Sequence, residues 1–441
     1  MSHLLISAAH KSSGKTTISI GLCAALKSLG KVVQPFKKGP DYIDPLWLGR
    51  ATGRNCHNLD FYTMDVDEIK GVVAKQSMGS DIQIIEGNKG LYDGLDLDGS
   101  NSNAALAKLV NAPVILVIDS RGMTRGIAPL ILGYQAFDKD IKIGGVILNQ
   151  IGGSRHESKL RNVIEHYTDV KVLGAVHKDP ALNIDERHLG LMPSNEYSEV
   201  SAKIERLSAA VKQQVDLDKV IGLAESVEPI ATTSVIEEVH SSKVQGIKIG
   251  VVKNEAFGFY YPGDLNAFKA EGVELVEFDT LKDKNLPDVD ALFIGGGFPE
   301  SWMNELESNN SLRQQIKDAI NSGLPVYAEC GGLMYLSQSL NWQDNKAQMV
   351  GAIPADIVMN EKPQGRGYVS LKQSNDVLWG NTKSATTIFA HEFHDSVFEN
   401  IDDLESNSEI KYAYEMKRGS GITGMHDGLV YKNLMANYAH L

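Results

Sequence analysis

Cysteine is scarce in this chain of 441 residues. The three cysteines are Cys23, Cys56 and Cys330, and no two of them form a closely spaced pair. A disulfide framework and a cysteine-rich zinc site both need more cysteines at shorter spacing, so both are excluded as the basis of the fold. We therefore expect each cysteine to act alone, either as part of a buried core or as a nucleophile.

Long hydrophobic runs and excess positive charge are also missing. No run of about 18 apolar residues occurs, so we predict no membrane span. The first residues show no apolar stretch behind a basic head, and we expect a cytoplasmic protein. The 43 basic and 56 acidic side chains give a formal net charge of −13, which argues against nucleic acid or an acidic membrane as a partner. A local basic site can still bind phosphate or carboxylate groups.

Short apolar runs alternate with helical stretches through most of the chain. Such runs suit parallel strands that are buried on both faces, and their alternation with helices predicts an α/β fold built on doubly wound parallel sheets. The predicted strands are residues 4–7, 32–35, 82–85, 114–118 and 146–148 in the first half, and 247–252, 274–278, 291–294 and 325–328 in the second. The clearest helices are predicted at 16–29, 103–109 and 311–321.

The segment 225–246 interrupts this alternation. It is rich in Ser, Thr and Glu and contains a proline, which is typical of a linker. We therefore predict a first α/β domain over 1–224, a linker over 225–246 and a second α/β domain over 247–441. This division agrees with the length of the chain at about 150 residues per domain.

A phosphate-binding loop is predicted directly after the first strand. The sequence AHKSSGKTT at 9–17 joins that strand to an amphipathic helix, which is the setting of a P-loop, although Ala9 stands where the first glycine is usual. Backbone N–H groups would surround the phosphates of ATP, and Lys15 would contact the β- and γ-phosphates. The predicted nucleotide-binding residues of the loop are Ser12, Ser13, Gly14, Lys15, Thr16 and Thr17.

Carboxylates after two later strands are predicted to form a magnesium site with the Thr16 hydroxyl. Asp44 lies in KKGPDYIDP at 37–45, and Glu86 closes the strand at 82–85. Strand C-termini face the ligand crevice in such sheets, and Mg²⁺ prefers oxygen ligands. Asn149, at the end of another strand, is predicted to contact the nucleotide base, with a simple turn role as the alternative.

A second site is predicted around Cys330. The preceding strand runs directly into ECGG at 329–332, which places the thiol on a sharp turn at a helix start, where it should be exposed and have a lowered pKa. Backbone N–H groups of Gly296, Gly297 and Gly331 are predicted to stabilise an oxyanion. The alternative is a buried, unreactive cysteine.

A nucleophilic cysteine needs a base, and three histidines are candidates. His391 and His394 lie in FAHEFHD at 389–395, and His440 lies in NYAHL at 437–441. Spacing in the sequence does not choose among them.

Seven ordered stretches across both halves resemble the cobyrinic acid a,c-diamide synthase family. They are residues 12–17, 38–45, 58–60, 186–191, 255–261, 295–300 and 328–333. The resemblance implies a dethiobiotin-synthetase-like P-loop ATPase domain followed by a flavodoxin-like class I glutamine amidotransferase domain. It also implies a glutamine-hydrolysing carbon–nitrogen ligase of cobalamin biosynthesis.

The same resemblance implies a mechanism. ATP would activate a tetrapyrrole carboxylate as an acyl phosphate, Cys330 would release ammonia from glutamine, and ammonia would displace phosphate to give the amide. On cobyrinate, the amidated groups would be the a- and c-side-chain carboxylates. The residues predicted to contact this acceptor are Lys38, Asp41, Tyr42 and Asp93.

The resemblance also bears on the base. The family's terminal Ser-Tyr-x-His motif matches 437–440 and favours His440 over His391. Many class I glutaminases carry an acid two positions after the histidine. The sequence has no such acid here, so we expect a Cys–His pair without a third member.

Several departures from the family pattern leave alternatives open. Leu48, His57, Asn88 and Lys89 differ from the residues that are usual there, so sirohaem, nickel sirohydrochlorin or hydrogenobyrinate are alternative acceptors. A partitioning-type regulatory ATPase is disfavoured, because it would carry a lysine where this chain has His10. A non-catalytic glutaminase half is a further alternative, and a homodimer is left open.

Overall fold

The computed structural model describes residues 2–187, 190–228, 244, 246–379, 386–399 and 401–441. The chain divides into two compact units, Met1–Glu238 and Val239–Leu441. Most of the predicted linker at 225–246 lies outside the described residues, as do residues 188–189 of one matching stretch. The predicted boundaries at 224 and 247 therefore stay a prediction.

The first unit is built on a parallel sheet. Its strands are β1 (Ser2–Ala8), β2 (Val33–Lys38), β3 (His57–Leu59), β4 (Ile82–Glu86), β5 (Val114–Asp119), β6 (Ile143–Ile151), β7 (Val172–His177), β8 (Glu186–Arg187) and β9 (Gly190–Leu191). Its helices are α1 (Lys15–Ser28), α2 (Ile43–Thr52), α3 (Val66–Gln76), α4 (Asn103–Leu109), α5 (Ile127–Phe137), α6 (Ser154–Tyr167), α7 (Val200–Gln214) and α8 (Leu217–Ala224), with a 3₁₀ turn at Pro180–Leu182.

Seven of these strands form one sheet in the order β3-β2-β4-β1-β5-β6-β7, and every neighbouring pair is parallel. Alternate side chains of β1 enter different cores: Leu4 and Ile6 pack with Ile18 of α1, whereas Leu5 packs with Leu116 on the other face. Both faces are covered, which explains the continuous apolar runs. The predicted parallel α/β fold of this half is confirmed.

The second unit has more strands than the sequence indicated. They are β10 (Lys248–Val252), β11 (Phe257–Phe259), β12 (Glu274–Phe278), β13 (Ala291–Ile294), β14 (Gly296–Gly297), β15 (Val326–Glu329), β16 (Ser339–Trp342), β17 (Asn345–Gln348), β18 (Asp356–Met359), β19 (Gly365–Gln373), β20 (Thr387–His394), β21 (Ser396–Phe398), β22 (Lys411–Arg418), β23 (His426–Tyr431) and β24 (Leu434–Asn437). The helices are α9 (Pro262–Ala270), α10 (Met303–Ser308), α11 (Asn310–Asn321), α12 (Gly331–Leu336) and α13 (Ile401–Ser406), with a 3₁₀ turn at Pro299–Trp302.

The main sheet of this unit has the order β12-β10-β13-β15-β24-β23-β22-β19-β20. The pairs from β12 to β24 are parallel and include the four predicted strands. The pairs from β24 to β20 are antiparallel and were not predicted. The sequence of β22, KYAYEMKR, mixes exposed and buried residues, so this part lacks the apolar runs that revealed the parallel strands.

Candidate functional site

The phosphate loop at 9–17 leaves β1 and enters α1. Gly14 has a φ of 81°, in the left-handed region that favours glycine, and a β-carbon built there would lie 2.1 Å from the side-chain nitrogen Nδ2 of Asn149. This Nδ2 donates a hydrogen bond to the carbonyl oxygen of Ser13 at 2.9 Å. Asn149 therefore supports the loop from β6, and its predicted contact with the nucleotide base stays a prediction.

The three predicted magnesium ligands meet beside this loop. The Thr16 hydroxyl Oγ1 lies 2.7 Å from Glu86 Oε1 and 3.1 Å from Asp44 Oδ2. Lys15, the predicted phosphate contact, forms a buried ion pair with the same oxygen of Glu86. The other oxygen of Glu86, Oε2, is buried and has no hydrogen-bond partner. A hydroxyl facing two carboxylates, one with a free oxygen, fits a magnesium ion.

Lys37 completes this cluster, and the sequence analysis missed it. It lies beside Glu86 in the register of β2 and β4 and is 1% exposed. Its Nζ forms an ion pair with Asp44 and lies 3.3 Å from Glu86 Oε1 and 3.5 Å from Asp41 Oδ2. The available signal was a pair of lysines, Lys37 and Lys38, at the end of a strand whose residues are all buried.

Within this cluster, Lys37 and Asp44 stabilise each other's charge. Burial alone lowers the pKa of Lys37, but the carboxylates of Asp44 and Glu86 outweigh burial and raise it well above its usual value. Burial in turn raises the pKa of Asp44, but Lys37 and Lys15 outweigh it and hold that pKa below its usual value. Both Lys37 and Asp44 are therefore charged at neutral pH.

The residues predicted to contact the acceptor lie at the same edge of the sheet. Lys38, Asp41 and Tyr42 occupy the end of β2 and the connection to α2, and Asp93 lies in the loop after β4. Asp41 accepts backbone hydrogen bonds at the start of α2, and Asp93 is exposed and accepts one from Gly90 at 2.9 Å. Contact with an acceptor stays a prediction for all four.

In the second unit, Cys330 occupies a strained turn between β15 and α12. Its φ is 47° and its ψ is −104°, a conformation that residues with a side chain rarely adopt. Its N–H donates to the carbonyl oxygen of Asn437 at 2.7 Å. A β-carbon on Gly331 would lie 2.9 Å from backbone atoms of Gly297, so the turn packs closely against the glycine strand β14.

The thiol of Cys330 is buried rather than exposed. The residue is 7% exposed, and its Sγ donates to the carbonyl oxygen of Phe393 at 3.7 Å. Burial raises the pKa of Cys330, and the Glu300 carboxylate raises it further, although the N–H of Gly331 acts in the opposite direction. The expectation of an exposed thiol with a lowered pKa is wrong for this state, because a dry site near a carboxylate disfavours the thiolate more than the turn favours it.

His440 is brought to this turn by the last strand. β24 pairs with β15 so that Asn437 lies beside Glu329, and His440 follows three residues later. The Nδ1 of His440 lies 3.1 Å from Glu329 Oε2, and both side chains are buried. A carboxylate does therefore contact this histidine, contrary to the expected bare pair. It comes from the residue before Cys330 instead of two positions after His440.

The other candidate bases differ in their surroundings. The ring of His391 stacks on His440 with centroids 5.0 Å apart, and the two residues exchange backbone hydrogen bonds. Burial lowers the pKa of His391 well below its usual value, and His440 adds to this effect. His394 instead stacks on Tyr438 with centroids 3.8 Å apart. His440 and His391 thus share one site, and the choice of His440 as base stays a prediction.

The predicted oxyanion glycines surround the same site. A β-carbon on Gly296 would lie 2.7 Å from Cε1 of His440, and one on Gly297 would lie 2.0 Å from the carbonyl oxygen of Ala256. Together with Gly331, whose β-carbon would meet Gly297, they allow these segments to approach one another and His440 closely. Their role toward an oxyanion stays a prediction.

Known proteins share both halves of this arrangement. Residues 248–441 match the CobB/CobQ-like glutamine amidotransferase domain, and residues 5–191 match the CobQ/CobB/MinD/ParA nucleotide binding domain. The cobyrinate a,c-diamide synthase of Magnetococcus marinus is 43% identical over 99% of this chain and 93% of the relative. The chain belongs to the cobyrinate a,c-diamide synthase family. Relatives of the same name in Methanosarcina barkeri and Listeria innocua serovar 6a are 41% and 38% identical, covering 99% and 100% of this chain and 92% and 96% of their own lengths.

Membership of the cobyrinate a,c-diamide synthase family confirms the resemblance found in the sequence. The protein is an enzyme, a glutamine-hydrolysing amide ligase with a nucleotide-binding domain and a glutamine amidotransferase domain. Across the described residues, no helix is both long enough and apolar enough to cross a membrane.

Proposed function

We propose that this enzyme amidates the a- and c-side-chain carboxylates of cobyrinate, using ATP and either glutamine or ammonia. The observation that carries the proposal is full-length similarity to relatives named for this reaction, in a chain that holds both candidate centres. The charged cluster of the first unit supports ATP-dependent activation, and the Cys330 turn of the second supports glutamine hydrolysis.

In the first step, an acceptor carboxylate attacks the γ-phosphorus of ATP to give an acyl phosphate and ADP. This activation is needed because the oxygen of a free carboxylate is a poor leaving group. Lys15 would leave its ion pair with Glu86 to contact the phosphates, and Lys37 would neutralise charge on the transferred group. Thr16, Asp44 and Glu86 would hold Mg²⁺, which supplies further charge neutralisation to the phosphates.

In the second step, Cys330 attacks the side-chain amide carbon of glutamine. His440 takes the thiol proton and returns it to the departing nitrogen, which leaves as ammonia, and water then hydrolyses the thioester to glutamate. In the third step, ammonia attacks the acyl phosphate, so a C–N bond forms, the C–O bond to phosphate breaks, and the product is the amide.

The acceptor is tested by mass spectrometry of purified enzyme incubated with ATP, Mg²⁺, glutamine and a panel of tetrapyrroles. Each amidation replaces a hydroxyl group with an amino group and lowers the mass by about one dalton. We expect two such steps on cobyrinate. Amidation of sirohaem, nickel sirohydrochlorin or hydrogenobyrinate, with cobyrinate unchanged, would overturn the acceptor while leaving the amidotransferase reaction in place.

The acyl phosphate is tested separately with an acceptor whose carboxylates carry ¹⁸O. If the carboxylate attacks ATP, one labelled oxygen per amide must appear in inorganic phosphate. Unlabelled phosphate alongside a formed amide would exclude the intermediate.

A cytoplasmic location belongs to the same proposal and is supported by similarity to an enzyme family that acts on small molecules. A homodimer is left open by the sequence, and sedimentation equilibrium distinguishes a single chain of 48.1 kDa from twice that mass.

A further inference from the structure

Glu329 directly precedes Cys330, and its carboxylate contacts the candidate base His440. We infer that its carboxylate is the positioning group behind His440. The inference rests on the proposed glutamine hydrolysis at Cys330. It adds a third residue, contributed by the strand that also carries the nucleophile.

Both oxygens of this carboxylate have fixed partners. Oε2 lies 3.1 Å from Nδ1 of His440. Oε1 accepts hydrogen bonds from the Tyr327 hydroxyl at 2.8 Å and from the N–H of Leu441 at 3.3 Å. The Tyr327 hydroxyl in turn accepts from Nδ2 of Asn437 at 2.8 Å. The carboxylate is therefore held between its own strand β15 and the end of the chain.

Burial strengthens the effect of this contact. Glu329 is 5% exposed and His440 is 3% exposed, so little solvent screens the charge from the imidazole. An ionised carboxylate only accepts hydrogen bonds, which places the imidazole proton on Nδ1. Nε2 is then the unprotonated nitrogen, the one that can take a proton from a thiol.

The inferred role follows the movement of the proton. When the Cys330 thiol proton reaches Nε2, the imidazole becomes a cation, and Glu329 stabilises it without accepting a proton. The cation then delivers this proton to the nitrogen of glutamine as the C–N bond breaks and ammonia leaves. Glu329 thus acts only through His440, and its charge matters most where the imidazole is charged.

The test uses the full-length enzyme with Glu329→Gln, which keeps the shape of the side chain but removes its charge. We expect kcat for glutamine hydrolysis to fall by about 10²-fold or more with little change in KM for glutamine, because only a charge formed during the reaction loses its partner. Amidation with ammonium salt should keep its wild-type rate, since it needs only the first unit.

Two further variants distinguish a positioning role of Glu329 from a packing role. Glu329→Asp should restore part of the lost kcat, and Tyr327→Phe, which keeps the carboxylate on His440, should lose far less than Glu329→Gln. Near-wild-type kcat in Glu329→Gln would overturn the inference, and so would equal losses in Glu329→Gln and Tyr327→Phe, which would indicate a packing role. Failure of the wild-type enzyme to hydrolyse glutamine would instead overturn the proposed function.

Discussion

The charged cluster of the first unit and the Cys330 turn of the second unit differ in the charge of their key side chains. In the first unit, Lys15 and Lys37 form ion pairs with Asp44 and Glu86. In the second, the proposed nucleophile is a buried thiol whose pKa is raised, and the candidate base His440 stacks on His391. The first centre therefore holds ion pairs in advance, whereas the second, in the proposed reaction, would create a charge pair only when the thiol loses its proton.

This difference fits what each centre is proposed to bind. ATP and Mg²⁺ would arrive charged, so their proposed site would exchange one set of ion pairs for another. Glutamine presents a neutral amide to the nucleophile, and an isolated thiolate kept ready in a dry site would be expensive. In the proposed reaction, a thiol that stays neutral until the amide is in place avoids that cost, and His440, which contacts Glu329, would then take its proton.

The largest effect that would test this division comes from Cys330→Ala. Glutamine-dependent amidation should fall by about 10⁴-fold or more, because the covalent route is lost. Amidation with ammonium salt should be unchanged, since the proposed acyl phosphate would form in the other unit. Steady-state amide formation with each nitrogen source measures both. Loss of both activities in a folded variant would show that the centres are not separable.

Lys15→Ala should impair the first centre and so lower amidation with either nitrogen source. Amidation should fall by about 10²-fold or more with glutamine and with ammonia alike, because a charge opposite the transferred phosphoryl group is lost. Lys75→Ala, an exposed lysine on α3, is the matched control and should behave as wild type. Near-normal turnover with ammonia in Lys15→Ala would contradict the role given to this lysine.

Some residues of the two centres could be predicted from the sequence, and others could not. The P-loop and the Cys330 turn were visible because each lies within a few residues of one strand end. Lys37 with Glu86, and Glu329 with His440, are contacts between different strands that depend on pairing register. Short apolar runs indicate that strands exist but not which strands are neighbours. The residues that contact a charged residue at the end of a strand could therefore not be predicted from the sequence. The antiparallel strands beyond β24 were missed for a related reason, because half-buried strands lack such runs.

The choice of base in the second centre is tested by two histidine variants. His440→Ala should lower glutamine hydrolysis by about 10²-fold or more, the usual contribution of a general base. His391→Ala should lower it less, since this ring stacks on His440 and pairs with its backbone. Assays of glutamate release compare them, with ammonia-dependent amidation as the check that the first unit is intact. A larger loss of glutamine hydrolysis in His391→Ala than in His440→Ala would make His391 the base.

A smaller effect, on the free energy of unfolding, is expected from Gly14 in the phosphate loop, and Gly30, which follows α1, provides the control. Gly30→Ala places a side chain at a φ of 84° where no atom beyond its chain neighbours lies within 4 Å, so it should cost about 1 kcal/mol of backbone strain. Gly14→Ala adds a collision with Asn149 Nδ2, which donates to Ser13, and should cost about 1 kcal/mol more. The unfolding transition of the first unit measures both. Equal shifts would mean that the Asn149 contact does not stabilise the loop.

The most subtle prediction concerns the resting thiol, and it decides whether the two centres really differ. Burial and Glu300 raise the pKa of Cys330, so near pH 8.5, where an ordinary thiol is about half ionised, this one should remain mostly protonated. Its rate of alkylation by iodoacetamide, with Cys330→Ala as the background, should therefore keep rising above that pH instead of levelling off. The sign follows because raising the pKa of a thiol removes its reactive anion at every pH below the new value. A plateau reached at neutral pH would show a thiolate at rest, and both centres would then hold their charges in advance.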